Sequence, residues 1–136
     1  ESDKDPYQHL SDVEDKVLLV EKESIAGPMV SQLGGHSVET ESVNDGFRML
    51  INNLDQYDGL VTQYPLGRQL LAENKGKKLA LSKLNLRNDL LTFAAQKDSP
   101  YVQSLNYALM TMRDEGTSKA ICSKYLGVFV GRHCEF

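Results

Sequence analysis

The stretch from Ser42 to Gly67 (SVNDGFRMLINNLDQYDGLVTQYPLG) most constrains the fold, because it combines a helical pattern with a short apolar segment and a second helix start. Ser42 is placed to cap the first helix, and Asp45 lies in its first turn. Five apolar residues at helical spacing share one face of this helix: Val43, Phe47, Leu50, Ile51 and Leu54.

The segment YDGLVTQ (57–63) predicts a buried inner strand of a parallel sheet, since it is too short for a helix and apolar at its centre. In an open α/β sheet, the loop after such a strand lies at the carboxyl edge, where ligands bind. We therefore expect a ligand site first at Thr62, Gln63 and Tyr64.

Strands and helices alternate around this stretch. KVLLV (16–20) predicts a strand buried on both faces, HSVETE (36–41) predicts a second strand with Val38 directed inward, and KLALS (78–82) predicts a fourth. With YDGLVTQ as the third strand, the order is β-α-β-α-β-α-β. This order predicts an α/β fold, an open and mostly parallel sheet covered by helices on both faces.

The helices of this unit have recognisable ends. Ser24 is placed to cap the helix between the first two strands, with Pro28 in its first turn and Gly34 and Gly35 at its end. After the third strand, a loop over residues 63–65 leads into a further predicted helix, which carries Leu66, Leu70 and Leu71 and ends around Gly76. The apolar face of the earlier helix carries Ile25, Met29 and Leu33.

The pattern changes after Ser82. DLLTFAAQ (89–96) predicts another strand, an amphipathic helix runs from Tyr101 to Arg113, and a shorter helix follows over residues 117–127. The apolar faces of these two helices have no place in the four-stranded unit. We expect them to pack on a second lobe or on another chain.

Composition excludes several classes of function. The formal net charge is −4 and there is no basic stripe, which argues against a nucleic-acid partner. No run approaches the roughly 18 apolar residues of a membrane span. The chain has no Walker loop, Rossmann glycine fingerprint or nucleophile elbow, so we expect neither an enzyme nor a cofactor.

We expect the two cysteines, Cys122 and Cys134, to form a disulfide; the alternative is two reduced thiols. Together with three scattered histidines they lack the spacing of a metal site. A disulfide would close a short loop worth roughly 3 kcal/mol in the chain-entropy model, and it would imply an oxidising compartment.

Three segments, taken in order, follow the pattern of one family. DPYQHLSDVEDKVLLV (5–20) is similar to S-P-(x)-S-L-(x)-D-L-(x)-G-K-K-V-G-V, and residues 41–67 are similar to S-(x)-E-E-A-L-(x)-A-L-(x)-(x)-G-(x)-(x)-D-A-V-V-(x)-D. Residues 94–127 resemble its ending, V-R-K-(x)-D-P-(x)-L, N-(x)-A-L and G-T-(x)-(x)-(x)-I-(x)-(x)-K-(x)-(x)-G. The chain thus resembles the bacterial extracellular solute-binding proteins of family 3, polar amino acid receptors with the periplasmic binding protein type 2 fold.

The resemblance implies two lobes that close on a small polar ligand. The chain would supply a lead-in segment (1–15), the second lobe with a hinge strand (16–95), C-terminal helices that dock on the first lobe (96–127) and a tail (128–136). The implied partners are the first lobe or a second chain, and a membrane permease of an ABC transporter or a signalling protein. The implied location is periplasmic or extracellular.

The resemblance also places the candidate ligand-binding residues, Ser24, Glu23, Glu41, Gln63 and Tyr64. The family's G-T-T turn matches residues 22–24, where only Ser24 keeps a hydroxyl and Glu23 would repel a ligand carboxylate. The family's ammonium-binding aspartate falls on Gln63, whose neutral amide cannot supply a charge-assisted bond. A different ligand from the usual amino acid, or no ligand, therefore fits better.

Each of these residues also has a plainer interpretation. Ser24 could be only a helix cap, Gln63 a polar cap of the next helix, Tyr64 a partly buried loop aromatic and Glu41 a solvated side chain. We expect a non-catalytic solute-binding domain that acts as a sensor or transport-receptor lobe. The alternatives are a degenerate lobe that serves as an interaction or dimerisation module, and a small α/β enzyme, which lacks a matched acid/base pair.

Overall fold

The computed structural model describes residues 5–76, 78–88 and 92–126. The chain divides into two compact units, Glu1–Asn88 and Asp89–Phe136, which we call unit 1 and unit 2 and describe separately.

Unit 1 is built on a three-stranded parallel sheet of β1 (Val17–Glu21), β2 (His36–Thr40) and β3 (Gly59–Leu60). The strand order is β2-β1-β3, so β1 is the central strand. Val17 is paired with His36 in β2, and Leu18 is paired with Gly59 in β3. The predicted α/β class with an open parallel sheet is confirmed, and β1 and β2 occupy the expected segments.

Two strand predictions are wrong. The segment 57–63 forms an edge strand whose ladder covers only two residues, where an inner strand was expected. Residues 78–82 form no strand. The end of this segment is bonded to the first residues of the unit instead: the Ser82 hydroxyl donates to Asp5 Oδ2 at 3.1 Å, and Leu84, just beyond it, packs on the core.

The strand predicted over 89–96 is also not found in the described part of that segment. Residues 92–96 have no regular structure, and residues 89–91 lie outside the described residues.

Three helices follow the strands of unit 1: α1 (Ala26–Gln32), α2 (Val43–Asn52) and α3 (Tyr64–Glu73). A Cβ built at Gly27 of α1 would lie 3.8 Å from Val20, whereas one built at Gly46 of α2 would lie 2.9 Å from Leu60. Leu60 is paired with Leu19, and side chains alternate along a strand. Because Leu19 and Val20 point to opposite faces, α1 and α2 cover opposite faces of the sheet.

The start of α1 differs from the prediction. Ser24 does not cap it: the N-cap is Ile25, without a side-chain bond, and the Ser24 hydroxyl donates instead to the Glu21 carbonyl at 2.6 Å. Glu23 has a positive φ of 59°, which turns the chain so that the helix begins later. Ile25, expected on the apolar face, is 54% exposed, and Val30 is the buried residue of this helix.

The start of α2 agrees with the prediction. The Ser42 hydroxyl accepts a hydrogen bond from the Asp45 backbone N–H at 3.2 Å, and Asp45 lies in the first turn. Phe47 and Leu50 of the expected apolar face are buried. Leu54 follows the end of the helix and is 48% exposed.

The core of unit 1 lies around β1, where Leu18, Leu19 and Val20 are buried. Val13, in a short 3-10 helix at Leu10–Val13, is also buried. The segment before β1 therefore contributes to the core, although its polar composition led us to expect only a lead-in.

Unit 2 contains α4 (Val102–Asp114) and α5 (Thr117–Leu126), separated by Gly116 with a φ of +76°. Both helices agree with the predicted segments. No residue of α4 is buried, so the apolar face expected on this helix is only partly covered within the part of the chain that the structure describes.

Candidate functional site

The candidate site is the carboxyl edge of the sheet, where residues 22–25, 41–42 and 61–63 leave the three strands. From β1 the chain goes through α1 to β2 on one side, then through α2 past β1 to β3 on the other side. The crossover connections on either side of β1 therefore run in opposite directions. The carboxyl ends of β1 and β3 form a topological switch point, the place where open α/β sheets form a crevice for ligands.

The loops after β1 and β2 are held against each other. The Lys22 backbone N–H donates to the Thr40 carbonyl at 2.9 Å, and Lys22 Nζ lies 3.5 Å from Glu41 Oε1. The Glu41 side chain is 82% exposed, so the ion pair contributes little to stability. Glu41 therefore has a charged partner, which the sequence did not indicate.

Thr40, the last residue of β2, lies at this edge with its side chain inside the unit. It is buried, and its hydroxyl lies 3.2 Å from the Val20 carbonyl oxygen and 3.0 Å from the Ser42 carbonyl oxygen. A hydroxyl has one proton to donate, so the two carbonyls share it. Sequence reasoning missed this residue; the polar–apolar alternation of HSVETE was the signal that could have marked it as an inward side chain.

The loop after β3 contains a hydroxyl without a partner. Val61 N–H still donates to the Leu19 carbonyl at 2.9 Å, but the next residue, Thr62, has left the ladder. Thr62 Oγ1 is buried and has no hydrogen-bond partner, the one such side-chain atom found within residues 5–76, 78–88 and 92–126. Leaving a buried hydroxyl unsatisfied costs roughly 1–3 kcal/mol.

Gln63 and Tyr64 begin α3 at the same edge. Gln63 is the N-cap residue, yet its side chain makes no capping bond and is exposed. Tyr64 is half-buried; its hydroxyl accepts a hydrogen bond from Arg68 Nη1 at 2.8 Å, and the Arg68 guanidinium carbon lies 5.5 Å from the centre of the ring. Arg68 was not predicted, although its position four residues after Tyr64 on one helix face was a readable signal.

All five predicted ligand-binding residues follow a strand at this edge: Ser24 and Glu23 follow β1, Glu41 follows β2, and Gln63 and Tyr64 follow β3. Ser24 and Glu41 are engaged by protein groups, and the Gln63 amide faces solvent. The edge therefore offers hydrogen-bonding groups and charges of both signs.

Other features of the described residues bear on the chemistry. Among them there is no group of three or more histidine, cysteine, aspartate or glutamate side chains that could hold a metal ion. None of the helices in this part of the chain is both long and apolar enough to cross a membrane. The predicted Cys122–Cys134 disulfide stays a prediction, because Cys134 lies outside the described residues.

A groove of about 430 Å³ lies elsewhere, within unit 2. It is mostly apolar and carries no titratable side chain, so it has less of the character of a polar-ligand site than the sheet edge. Its lining residues are Thr92, Phe93, Ala95, Val102, Leu105, Asn106 and Leu109.

Comparisons with protein-family models, with curated proteins and with solved structures found no match. Function is therefore inferred from the residues and their geometry.

Proposed function

We propose that unit 1 is the ligand-binding lobe of a non-catalytic solute-binding protein of the periplasm or cell exterior, related to family 3 receptors, which serves a membrane permease or a signalling protein. The observation that carries the proposal is the buried, unpartnered Thr62 hydroxyl beside the switch point of the parallel sheet. Because the protein itself covers that oxygen, a ligand atom reaches it only after the Thr62 side chain turns towards the edge, and the hydrogen bond made there would then remove the cost of the unsatisfied group.

The chemistry of the edge supports a small polar ligand. Thr62 supplies a hydroxyl, Gln63 an exposed amide, and the Tyr64–Arg68 pair an aromatic face with a cation beside it. Hydroxyl and amide groups favour neutral partners such as amides and polyols. An α-amino acid fits less well, because no carboxylate stands at Gln63 to bind its ammonium group.

The proposed action is lobe closure. A ligand held between this edge and an opposing lobe favours the closed arrangement by the difference between its affinities for the closed and open states.

Titration calorimetry of the full-length gene product against a panel of small amides, polyols, sugars and amino acids tests the proposal. We expect one class to bind, and Thr62→Val to weaken that binding about tenfold through loss of one hydrogen bond. Thr92→Val, at an exposed threonine of unit 2, is the matched control and should leave the affinity unchanged. Absence of heat with every compound would contradict the proposal.

A second function is favoured by the surface of unit 2. Large apolar side chains are exposed on α4 and α5, among them Tyr107 at 75%, Met110 at 55% and Tyr125 at 74%. We propose, as the alternative, that these helices make the domain an interaction or dimerisation module. Light scattering tests self-association: a monomer at all concentrations would contradict it, and a dimer that Met110→Lys dissociates would support it.

A further inference from the structure

Two segments that lie far apart in the sequence are joined through one carboxylate. Asp5 Oδ2 accepts hydrogen bonds from the Ser82 hydroxyl at 3.1 Å and from the Lys83 backbone N–H at 2.7 Å. Asp5 Oδ1 accepts a third hydrogen bond, from the Tyr7 backbone N–H at 3.0 Å. Asp5 thus binds donors from its own segment and from residues 82–83.

The Ser82 hydroxyl extends this arrangement. The Tyr7 carbonyl oxygen lies 3.2 Å from the Ser82 hydroxyl oxygen. The Ser82 proton can therefore be donated either to this carbonyl or to Asp5 Oδ2. The Ser82 hydroxyl oxygen in turn accepts a hydrogen bond from the Leu84 backbone N–H at 3.0 Å. Both the donor and the acceptor capacity of Ser82 are therefore used.

The two segments also share one apolar core. Tyr7 and Leu84 both pack against the core cluster that includes Val13 and Leu18. The Tyr7 hydroxyl donates to the Asp58 carbonyl at 3.1 Å, immediately before β3 begins. The polar contacts around Asp5 therefore lie beside side chains that pack on the core of unit 1.

We propose that Asp5, with its bonds to Tyr7, Ser82 and Lys83, is a tie that makes the segment leading into β1 and the segment following α3 move as one body. The tie belongs to unit 1, whose boundary at Asn88 comes soon after Lys83. If the proposed function is correct, these segments are the hinge connections, and the tie makes both of them turn together when the lobes close.

The hydrogen bonds of the tie favour the ionised form of Asp5. Hydrogen bonds from the Lys83 and Tyr7 backbone amides hold the pKa of Asp5 below its ordinary value against the opposing effect of burial, with smaller help from Ser82 and the Lys83 charge. Among the described residues, the other titratable groups near it are the Tyr7 phenol and, at the far end of that ring, Asp58. Acid therefore releases the tie only below the ordinary range of an aspartate.

Amide hydrogen exchange, followed by NMR in the whole chain, tests the tie. In Asp5→Ala we expect the Lys83 amide to exchange on the order of tenfold faster, although it lies far from the substituted residue in sequence. In Ser82→Ala the Leu84 amide should exchange faster, while Lys83 keeps Asp5 as its acceptor. Asp12→Ala is the matched control, since its carboxylate binds only the local Gln8 and His9 amides.

The control should speed exchange at residues 8 and 9 and leave Lys83 unchanged. An unchanged Lys83 amide in Asp5→Ala would overturn the proposal. Equal acceleration at the Val61 amide, which reports on the β1–β3 pairing, would also overturn it, because Asp5 would then stabilise unit 1 as a whole. The experiment needs no ligand, so its failure is distinguishable from failure of the proposed function.

Discussion

At the scale of residues, two threonines at the same edge of the sheet have opposite environments. The Thr40 hydroxyl is buried with two carbonyl acceptors, whereas the Thr62 hydroxyl is buried with none. A buried hydroxyl contributes to stability only when it is bonded. The unbonded one therefore lowers stability, and a ligand that bonded it would offset that cost.

Replacement of the two threonines by valine, which has the same shape, should therefore change stability in opposite directions. We expect Thr62→Val to raise the free energy of unfolding by about 1 kcal/mol, because it removes an unsatisfied polar group, and Thr40→Val to lower it by about 1–2 kcal/mol. Urea unfolding followed by circular dichroism measures both. Destabilisation by Thr62→Val would show that its hydroxyl has a partner in solution.

Tyr7 should make stability depend on alkaline pH. Burial, together with the negative charges of Asp58 and Asp5, raises the pKa of Tyr7 to about 12 from an ordinary value of 10.0. Because the unfolded chain loses this proton first, the contribution is complete below about pH 10 and is lost as the pH rises towards 12.

Tyr7→Phe should therefore flatten the loss of stability between about pH 10 and 12. At neutral pH it should cost about 1 kcal/mol, from the lost hydrogen bond to the Asp58 carbonyl. Unfolding curves at stepped pH measure both effects. Tyr107→Phe, at an exposed position of α4, is the control and should leave the curves unchanged.

At the scale of elements, what could be predicted depended on whether the signal was local. The β1 and β2 segments, and the cap of α2 at Ser42, were predictable because continuous apolar runs and capping residues act within a few positions. The start of α1 was not, because the turn at Glu23 directs the Ser24 hydroxyl to a carbonyl.

Long-range bonding limited the prediction of strands and of the site. Residues 78–82 have the sequence pattern of a strand but do not form one. The chain just after them bonds to Asp5, which accepts the Lys83 backbone N–H, and a single sequence has no pattern that reveals such a distant partner. The same limit applies at the carboxyl edge. Its position followed from the order of elements, whereas the Lys22–Glu41 pair and the unpartnered Thr62 hydroxyl depend on how the loops meet.

The two serines before helices provide a direct comparison. Ser42→Ala should lower the free energy of unfolding by about 1 kcal/mol, because the α2 N-terminus loses its capping acceptor. Ser24→Ala should cost less than about 0.5 kcal/mol, since an exposed hydroxyl bond to the Glu21 carbonyl is replaced by water. Chemical denaturation of both variants checks this. Equal losses would mean that Ser24 caps α1 in solution.

At the scale of the whole molecule, the two units differ in how far they bury their apolar residues. Unit 1 has a core around β1, whereas α4 of unit 2 has no buried residue. A helix that keeps its apolar face only partly covered gains little stability from packing. We therefore expect unit 2 to need a further constraint, such as the predicted Cys122–Cys134 disulfide or a partner.

Reduction should reveal that dependence. If Cys122 and Cys134 are paired, alkylation under native and denaturing conditions should label neither until a reductant is added, and Cys122→Ser should lower the stability of unit 2 by roughly 3 kcal/mol at most. Mass spectrometry and the exchange of α5 amides measure these effects. Two readily alkylated thiols in the untreated protein would contradict the pairing.

The position of β1 at the centre of the sheet has a consequence for synthesis on the ribosome. Both of its neighbours come later in the chain, so its apolar residues leave the exit tunnel before either partner has emerged. The first pairing becomes available once Thr40 has emerged, and the second once Leu60 has emerged. An arrest-peptide assay should therefore detect the full pulling force only after residue 60 clears the tunnel, because β1 then has both of its partners.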